Sequence, residues 1–374
     1  MRILFVLEHF HPYIGGVEYL FWQLSKSLVS QGHEVMVITT RFDKKLPQRD
    51  RNEGIDIYRV NCSNRFSFII RSIPSIFKNI KDFDLVHTTT YTAALPTWLV
   101  SCLRNKKIVI TFHEYWGDLW KRLPYLNLTQ KFFYSAFERI LTYLPFSRIV
   151  AVSKFTRQKL IKAGVDPSKI NMIYNGLDYN SIEKLSSKIT ISDLKNIKKS
   201  RTLDYIFVGR LGVSKGIDIL LEASDIFLQK NPEANLKLVI PKLQGKIYNL
   251  VLNRIKSLLC ANQITLMHNL TKVELYEQIK RASFIVIPSY SEGFCFVAAE
   301  ACALNIPIVS SQCGALKEVV SGDYIALDSL TKNGLFEALQ KAKKKQWQFK
   351  ESVQFPLDRS IEQYVYLYKE LIDG

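Results

Sequence analysis

Short, almost uncharged apolar runs alternate with amphipathic segments along most of this chain, and this alternation limits the folds it can adopt. In the first half, the run RILFVL (2–7) is followed by VEYLFWQLSKSLVSQG (17–32), whose apolar residues have helical spacing. Runs this short and apolar are typical of parallel strands that helices cover on both faces. We predict strands in this half at 2–7, 33–40, 54–60, 83–89, 106–112, 147–153 and 170–176. The first half therefore predicts an α/β fold.

A polar stretch rich in Ser and Lys, at 179–203, interrupts the alternation, and we interpret it as an interdomain connection. A second series of apolar runs predicts further strands at 204–210, 235–241, 263–269, 283–289 and 306–311. A chain of 374 residues is long for one hydrophobic core. We therefore predict two doubly wound α/β domains, 1–178 and 204–355, whose ligands bind at the carboxyl ends of the strands.

The formal net charge of +17 is the unusual feature of the composition. Such a charge indicates an anionic partner, which can be nucleic acid, anionic lipid or a phosphorylated ligand, or else a solvated basic surface. The sequence contains no recognisable RNA- or DNA-binding motif and no zinc-finger spacing. We therefore expect a phosphorylated ligand or a lipid surface as the partner, and no nucleic acid.

Cysteine usage and hydropathy bear on where the protein works. The six cysteines include no C-x-x-C pair, and several lie in apolar runs, which is typical of reduced thiols in core positions. The first apolar run is too short for a signal peptide, and the run 86–103 is too polar to span a bilayer. We expect a cytoplasmic protein, either soluble or peripheral on the inner face of the cell membrane.

Two glycine-containing stretches of the second half follow predicted strands. In FVGRLGVSKG (207–216), Gly209 lets the backbone approach a ligand closely, while Arg210 and Lys215 suit a diphosphate. The spacing matches neither a Walker loop nor G-x-G-x-x-G. A surface turn with exposed basic residues is the alternative interpretation.

The second stretch, PSYSEGFCFVAAEA (288–301), places Glu292 in a loop and Glu300 inside a predicted helix that begins near Phe294. Eight residues at helical rise separate the two carboxylates by ~12 Å, too far for one metal ion or a glycosidase pair. The first amides of the helix can accept a phosphate between them. We interpret the pair as holding two ends of an extended ligand, with a solvated or lysine-paired Glu300 as the alternative.

Two stretches of the first half also follow predicted strands. In HPYIGGVE, Gly15 and Gly16 permit close backbone approach to a ligand, or simply form a tight turn. In VITFHEYWGD, His113 ends a strand on the carboxyl side, where it is either functional or structural. Glu114 and Asp118 could act as acids or bases, and the sequence does not choose between them.

These stretches, together with VAVSKFTRQKL and YNGLD, resemble the retaining GT-B glycosyltransferases, of the family 4 and "group 1" type, over nearly the whole chain. GRLGVSKG resembles the R-x4-K pair of that family, and EGFCFVAAE its E-x7-E motif. The resemblance implies a GT-B fold of two Rossmann-like domains that face each other across a cleft. It also implies that the final amphipathic helix, 356–374, returns to complete the N-terminal, acceptor-side domain.

The resemblance further implies a nucleotide-diphosphate sugar as the donor, bound mainly by the second domain without a metal or other cofactor. Arg210 and Lys215 would hold its diphosphate, Glu292 the hydroxyls of the transferred sugar, and Glu300 the ribose hydroxyls. The other donor-binding positions would be Gly209, Gly293, Phe294 and Cys295, the last three through their amides.

Gly15, Gly16 and His113 would face the sugar from the first domain. Loss of the diphosphate creates an anion that basic side chains and a helix start stabilise. The acceptor hydroxyl would attack from the same face, so that the anomeric configuration is retained without a protein nucleophile. The residues expected to contribute to catalysis are His113, Arg210, Lys215 and Glu292.

Two parts of the first domain, 64–82 and 119–148, are both basic and aromatic. Such helices can lie in an anionic membrane interface, although the same residues could be ordinary core. We therefore predict that the enzyme transfers a hexose to an acceptor at the cytoplasmic membrane face, and that this acceptor is a lipid-linked saccharide, a polyprenyl lipid or a glycolipid. The alternatives are a nucleotide-sugar epimerase of the same shape and a non-catalytic nucleic-acid-binding protein.

Overall fold

The computed structural model describes residues 1–189, 203–242 and 246–374. Contacts between residues divide the chain into two compact units. The first unit comprises Met1–Lys121, Leu128–Gly176 and Leu357–Gly374, and the second comprises Arg122–Asn127 and Leu177–Pro356. Each unit is a sheet covered by helices, so the predicted α/β class with two domains is confirmed.

The first unit contains an eight-stranded sheet. Its strands are β1 Arg2–Val6, β2 Glu34–Thr40, β3 Arg49–Asn52, β4 Ile55–Val60, β5 Leu85–Thr89, β6 Lys107–Phe112, β7 Arg148–Ala151 and β8 Ile170–Met172. Their spatial order is β3-β4-β2-β1-β5-β6-β7-β8, and only β3 pairs antiparallel. Successive residues of β1 from Ile3 to Val6 are all buried, because helices cover both faces of the sheet.

The helices of this unit connect the parallel strands. They are α1 Gly16–Ser30, α2 Ser67–Arg71, α3 Ile73–Asn79, α4 Ala94–Leu103, α5 Leu128–Tyr143 and α6 Lys154–Lys162. The start of α6 has a side-chain cap, since the hydroxyl of Ser153 accepts a hydrogen bond from the amide of Thr156 at 3.0 Å. The connections β1–α1 and β6–α5 leave the carboxyl edge of the sheet, where the predicted residues of the first domain lie.

The second unit contains a seven-stranded sheet. Its strands are β9 Leu203–Val208, β10 Ala234–Val239, β11 Ile264–Met267, β12 Phe284–Ile287, β13 Ile308–Ser310, β14 Gly322–Ala326 and β15 Gln348–Lys350. Their order is β11-β10-β9-β12-β13-β14-β15, again parallel except for the last pair. Its helices are α7 Tyr179–Ser187, α8 Ile217–Gln229, α9 Lys246–Lys256, α10 Lys272–Arg281, α11 Phe296–Ala303, α12 Leu316–Val319 and α13 Lys332–Lys343.

The C-terminal helix, α14 (Leu357–Asp373), belongs to the first unit. Its tyrosines Tyr364 and Tyr368 are fully buried, and the hydroxyl of Tyr368 is hydrogen-bonded to Nδ1 of His87. The other ring nitrogen of His87 is hydrogen-bonded to Thr111 at 2.8 Å. A buried polar network therefore joins this helix to two strands of the first sheet.

The structure departs from the strand and linker predictions in identifiable places. The sequence pattern missed β3, β14 and β15, because β3 consists of charged and polar residues and β15 is only three residues long. Part of the predicted connection is helical: α7 begins after Asp178, whose carboxylate accepts from the amide of Ser181 at 2.9 Å. The rest of that connection, 190–202, lies outside the described residues.

Candidate active site

The reversal of strand order in the second sheet places two loops side by side. β9 lies between β10 and β12, so the chain leaves β9 toward one side and returns on the other. The segments that follow β9 and β12, 209–216 and 288–295, therefore start at adjacent carboxyl ends. Ligands of doubly wound sheets bind in the crevice that forms at this position.

Direct backbone contacts fix the two loops against each other. The amide of Tyr290 donates a hydrogen bond to the carbonyl oxygen of Ser214 at 2.7 Å. Gly216 has a φ of +66°, and a Cβ atom there would lie 2.0 Å from the carbonyl oxygen of Pro288. A glycine is therefore required at this contact, which explains one glycine of the GRLGVSKG stretch.

Lys215 and Glu292, predicted separately to meet the diphosphate and the sugar, form an ion pair. The ammonium group of Lys215 lies 2.8 Å and 2.9 Å from the two carboxylate oxygens of Glu292. The hydroxyl of Ser289 also donates to this carboxylate at 2.7 Å. The side chain of Glu292 is only 4% exposed, whereas that of Lys215 is 30% exposed. Lys215 can therefore reach a ligand while it neutralises a buried carboxylate.

The loop after β13 supports Glu292 from behind. The amide of Ala315 donates to the carbonyl oxygen of Glu292 at 2.8 Å. Gly314 has a φ of +68°, and a Cβ atom there would lie 2.3 Å from that carbonyl oxygen. The backbone of Glu292 is thus held by a third loop, at 311–315, which the sequence interpretation did not include.

Glu300 is paired with a lysine, as the alternative interpretation allowed. On the buried face of α11, its carboxylate accepts from the ammonium group of Lys272 and from the hydroxyl of Tyr276 at 3.2 Å. Lys272 is the first residue of α10. A cation is unfavourable at this position, because the N-terminus of a helix carries a positive partial charge. Its side chain is more than half exposed, so Glu300 borders a solvent-accessible edge. No sequence signal indicated either partner.

The helix after Glu292 starts later than predicted. α11 begins at Phe296 instead of Phe294, and Cys295 adopts a left-handed backbone conformation with a φ of +76°. The predicted separation of ~12 Å between the carboxylates of Glu292 and Glu300 assumed helical rise over all eight residues. Because residues 292–295 are not helical, that estimate does not apply. The ring of Phe294 is buried against Phe296 and Phe355. Only its backbone can therefore serve a ligand.

The remaining predicted donor residues lie beside these groups along the chain. Gly209 follows β9, and its amide donates to the carbonyl oxygen of Val239 at 3.1 Å. Arg210 is exposed and Gly293 is buried. In the described parts of the chain, no group of three or more His, Cys, Asp or Glu side chains is placed to hold a metal ion.

In the first unit, the glycines after β1 serve the start of α1. A Cβ atom at Gly15 would lie 2.0 Å from Oε2 of Glu18, so this glycine makes room for that carboxylate. Gly16 is the first residue of α1. Glu18 is buried in the first turn of the same helix, where a carboxylate complements the helix dipole.

His113 follows β6, and both of its ring nitrogens are inaccessible to solvent without a hydrogen-bond partner in the described residues. The residue as a whole is half-buried. Burial lowers the pKa of His113 to about 3, so its imidazole is neutral near pH 7. The imidazole is thus neutral and its nitrogens are unsatisfied, but a ligand could bond them only after a rearrangement that exposes one of them.

Glu138, which the sequence interpretation missed, organises the loop after His113. This buried residue of α5 accepts from the amides of Trp116 at 2.9 Å and Gly117 at 2.7 Å. It also accepts from the indole of Trp120 at 3.0 Å. Burial raises the pKa of Glu138, although these donors oppose the effect. The sequence signal was one carboxylate among the apolar residues of a helix.

The two acidic candidates near His113 have different surroundings. Glu114 accepts a hydrogen bond from the indole of Trp116. Asp118 is a surface residue whose carboxylate lies 2.9 Å from the ammonium group of Lys121. A proton-transfer group is usually held in a sheltered position, so the surroundings of Asp118 do not favour that role.

We expect stability to fall with acidification partly because of His113. Its pKa is about 3 in the folded chain and near 6.5 when unfolded, so only the unfolded state binds a proton between these values. The free energy of unfolding therefore does not depend on this group above pH 6.5, and it decreases as the pH falls from 6.5 toward 3. His113→Phe should reduce the slope of the free energy of unfolding against pH by up to about 1.4 kcal/mol per pH unit in this range. Urea denaturation at a series of pH values measures this slope. Parallel curves for the two proteins would contradict the assignment.

The two doubly wound α/β sheets, with loops that meet at the switch point of the second sheet, have the architecture of the GT-B class of glycosyltransferases. Sequence models of two families match the two halves of the chain. "Glycosyltransferase Family 4" matches residues 14–181, and "Glycosyl transferases group 1" matches residues 190–353. The chain belongs to the family 4 type of glycosyltransferases, and it is an enzyme that transfers a sugar.

Individual relatives are distant but match along most of their length. An uncharacterised glycosyltransferase of Methanocaldococcus jannaschii is 26% identical over 86% of this chain and 83% of its own. A phosphatidylinositol N-acetylglucosaminyltransferase component from Arabidopsis thaliana is 22% identical, over 91% and 74%. GDP-mannose:cellobiosyl-diphosphopolyprenol alpha-mannosyltransferase of Xanthomonas campestris is 24% identical, over 83% and 78%.

A solved structure supports the fold. Sucrose-phosphate synthase from Thermosynechococcus elongatus superposes with a TM-score of 0.81, covering 100% of this chain and 99% of its own at 18% identity. The predicted GT-B fold and the predicted enzyme class are confirmed.

Proposed function

We propose that the second unit binds a nucleotide-diphosphate sugar and that the enzyme transfers its hexose to an acceptor hydroxyl. The observation that carries this proposal is the ion pair of Lys215 with the buried Glu292, held where the loops after β9 and β12 meet. A cation there suits the diphosphate, and a carboxylate beside it suits sugar hydroxyls. Arg210, in the same loop, adds a second cation with a planar fork.

The chain's own groups can lower the barrier to loss of the diphosphate. As the bond between sugar and phosphate breaks, negative charge grows on the leaving oxygen, and Arg210 and Lys215 stabilise it. Glu292 and the neutral His113 are proposed to orient the sugar, and Glu300 the ribose. We propose that the acceptor hydroxyl attacks from the face that the diphosphate leaves, so that the anomeric configuration is retained, without a metal.

We propose a lipid-linked acceptor at the cytoplasmic face of the membrane. The names of two relatives specify lipid acceptors, phosphatidylinositol in one and a diphosphopolyprenol in the other. In the described parts of the chain, no helix is both long and apolar enough to cross a bilayer.

A thermal-shift screen of UDP- and GDP-sugars tests the donor. A nucleotide sugar that binds the folded chain raises its melting temperature, since ligand binding stabilises only the folded state. Transfer assays with the stabilising donor and a polyprenyl-linked acceptor follow, with the product's anomeric configuration read by NMR. Absence of a shift with every nucleotide sugar would contradict the donor site, and an inverted product would contradict retention.

The two glutamates are expected to respond differently to substitution. Glu300→Ala should weaken binding of the free nucleoside diphosphate by roughly tenfold, because it removes a hydrogen-bonding carboxylate from the ribose. Glu292→Ala should chiefly remove the additional affinity of the sugar-bearing donor. Calorimetry with the nucleoside diphosphate and the full nucleotide sugar measures both effects. Equal losses for both variants with the nucleoside diphosphate alone would show that the two roles are assigned wrongly.

A further inference from the structure

Helix α5 exposes apolar side chains where a surface helix normally carries polar ones. Leu128 is 84% exposed and Phe132 is 78% exposed. Further along the helix, Ile140 and Tyr143 are also exposed. These four residues, at positions i, i+4, i+12 and i+15, lie on one side of a helix with 3.6 residues per turn. The solvent-facing side of α5 thus carries large apolar residues near both of its ends, with Arg139 exposed among them.

The start of α2 extends this surface. Phe66, itself exposed, has its ring centroid 6.3 Å from that of Phe133 and is stacked on Tyr134 at 6.5 Å. Ile70, one turn further, is exposed as well. We call the exposed apolar residues of these two helices the α2–α5 face: Phe66, Ile70, Leu128, Phe132, Phe133, Ile140 and Tyr143.

The charges near the α2–α5 face are mostly positive. On α5, the charged residues are Lys131, Glu138 and Arg139. The carboxylate of Glu138 is buried and occupied by the loop after β6, so the accessible charges of this helix are positive. On α2, Arg71 is exposed in the last turn and no acidic residue is present. An apolar face whose own two helices expose only cations, with the nearby carboxylate of Asp118 paired with Lys121, is complementary to an anionic surface with an apolar interior.

We propose that the α2–α5 face docks on an anionic lipid bilayer, with its Phe and Leu side chains inserted among the acyl chains near the headgroups. A second protein would usually meet such a face with matched polar partners around its rim. A bilayer requires only apolar insertion and diffuse positive charge, and those are the properties present. The net charge of +17 acts in the same direction.

Docking on this face would affect the loop that follows His113, because Glu138 of α5 holds that loop. The outer side of α5 forms the face, while the inner side holds the loop between Trp116 and Trp120, directly after His113. A membrane that orders α5 would therefore also order this loop. This link rests on the proposed function, because it assumes a lipid-linked acceptor delivered near His113. The docking itself does not depend on it.

The test uses two matched double variants of the full chain. Leu128→Ser with Phe132→Ser removes two side chains from the face. Leu259→Ser with Phe349→Ser, the control, also removes one leucine and one phenylalanine side chain, but from the second unit. These two residues are 80% and 74% exposed. Vesicles of phosphatidylcholine with and without about one-third phosphatidylglycerol are mixed with each protein in a flotation assay, without donor or acceptor.

We expect the unmodified chain to bind the anionic vesicles, with binding that weakens as salt increases. The double variant Leu128→Ser with Phe132→Ser should bind these vesicles at least about tenfold more weakly than the unmodified chain. The control variant should bind them as tightly as the unmodified chain. Equal binding by both variants, or no vesicle binding by the unmodified chain, would overturn the proposal. A dimer that only the face variant dissociates, measured by light scattering, would assign the face to a second copy instead.

Donor binding, measured in parallel by thermal shift, separates the two proposals. Vesicle binding without any response to nucleotide sugars would leave the docking surface standing and remove the proposed donor site. A normal thermal shift with nucleotide sugars and no vesicle binding would support the proposed donor site and overturn the docking surface. Neither double variant touches a residue of the donor site, so both should keep the thermal shift of the unmodified chain.

Discussion

Replacing Lys215 with methionine is expected to lower the rate of sugar transfer by about 10²- to 10³-fold, the usual effect of removing one preorganised charge from a transition state. In the structure this ammonium group neutralises the buried carboxylate of Glu292. When a diphosphate leaves, the same group would meet the developing negative charge. Methionine keeps the length and the apolar contacts of the side chain and removes only the cation.

A double-mutant cycle separates the two tasks of Lys215. If its task is only to neutralise Glu292, then Glu292→Gln should restore nucleoside diphosphate binding in the Lys215→Met background, since no buried charge is left unpaired. If Lys215 also contacts the diphosphate, the double variant should bind a nucleoside diphosphate more weakly than Glu292→Gln alone. Calorimetry with nucleoside mono- and diphosphates measures both. Transfer within about threefold of normal in Lys215→Met would contradict the catalytic assignment.

Gly216→Ala is expected to destabilise the second unit by about 3 kcal/mol, because it combines a strained left-handed backbone with a steric overlap. The new Cβ atom would lie 2.0 Å from the carbonyl oxygen of Pro288, a backbone atom that cannot move aside without shifting its loop. Since Gly216 directly follows Lys215, donor binding should weaken together with stability. Urea denaturation and thermal shift with a bound nucleotide sugar measure the two effects.

Gly212→Ala is the matched control in the same loop. A Cβ atom there meets nothing nearer than Cγ of Lys215 at 3.6 Å, an ordinary contact with a flexible side chain. We expect a change in stability below about 1 kcal/mol for this variant. Similar losses for both glycine variants would indicate that general loop rigidity, and not the contact with Pro288, explains the effect at Gly216.

The strands and the two-domain α/β class could be predicted because they depend on local patterns. The strand predicted at 2–7 appears as Arg2–Val6, and the strand at 106–112 appears as Lys107–Phe112. Fully apolar runs can be stable only where both faces are covered, so composition alone indicates their position in a parallel sheet. The edge strand Arg49–Asn52 was missed because a polar strand at the edge is stabilised by its neighbour's backbone instead of by burial.

The chemical partners of the site could not be predicted in the same way. Lys215 and Glu292 were each singled out, but their contact joins residues 77 positions apart and follows from the adjacency of β9 and β12. The pairing of Glu300 with Lys272 spans 28 positions and had no signal beyond an unexplained carboxylate. Neither distance is set by any local periodicity.

By itself, the sequence determined the sheet-forming segments, the resemblance to a glycosyltransferase family and the loops that carry its basic and acidic residues. Each of these depends on residues close together in the chain. Only the tertiary structure decided that Lys215 neutralises Glu292, that Glu138 holds the loop after His113, and that the apolar side of α5 faces solvent. Such contacts arise from packing between distant segments, and a pattern read along the chain contains no information about which segments meet.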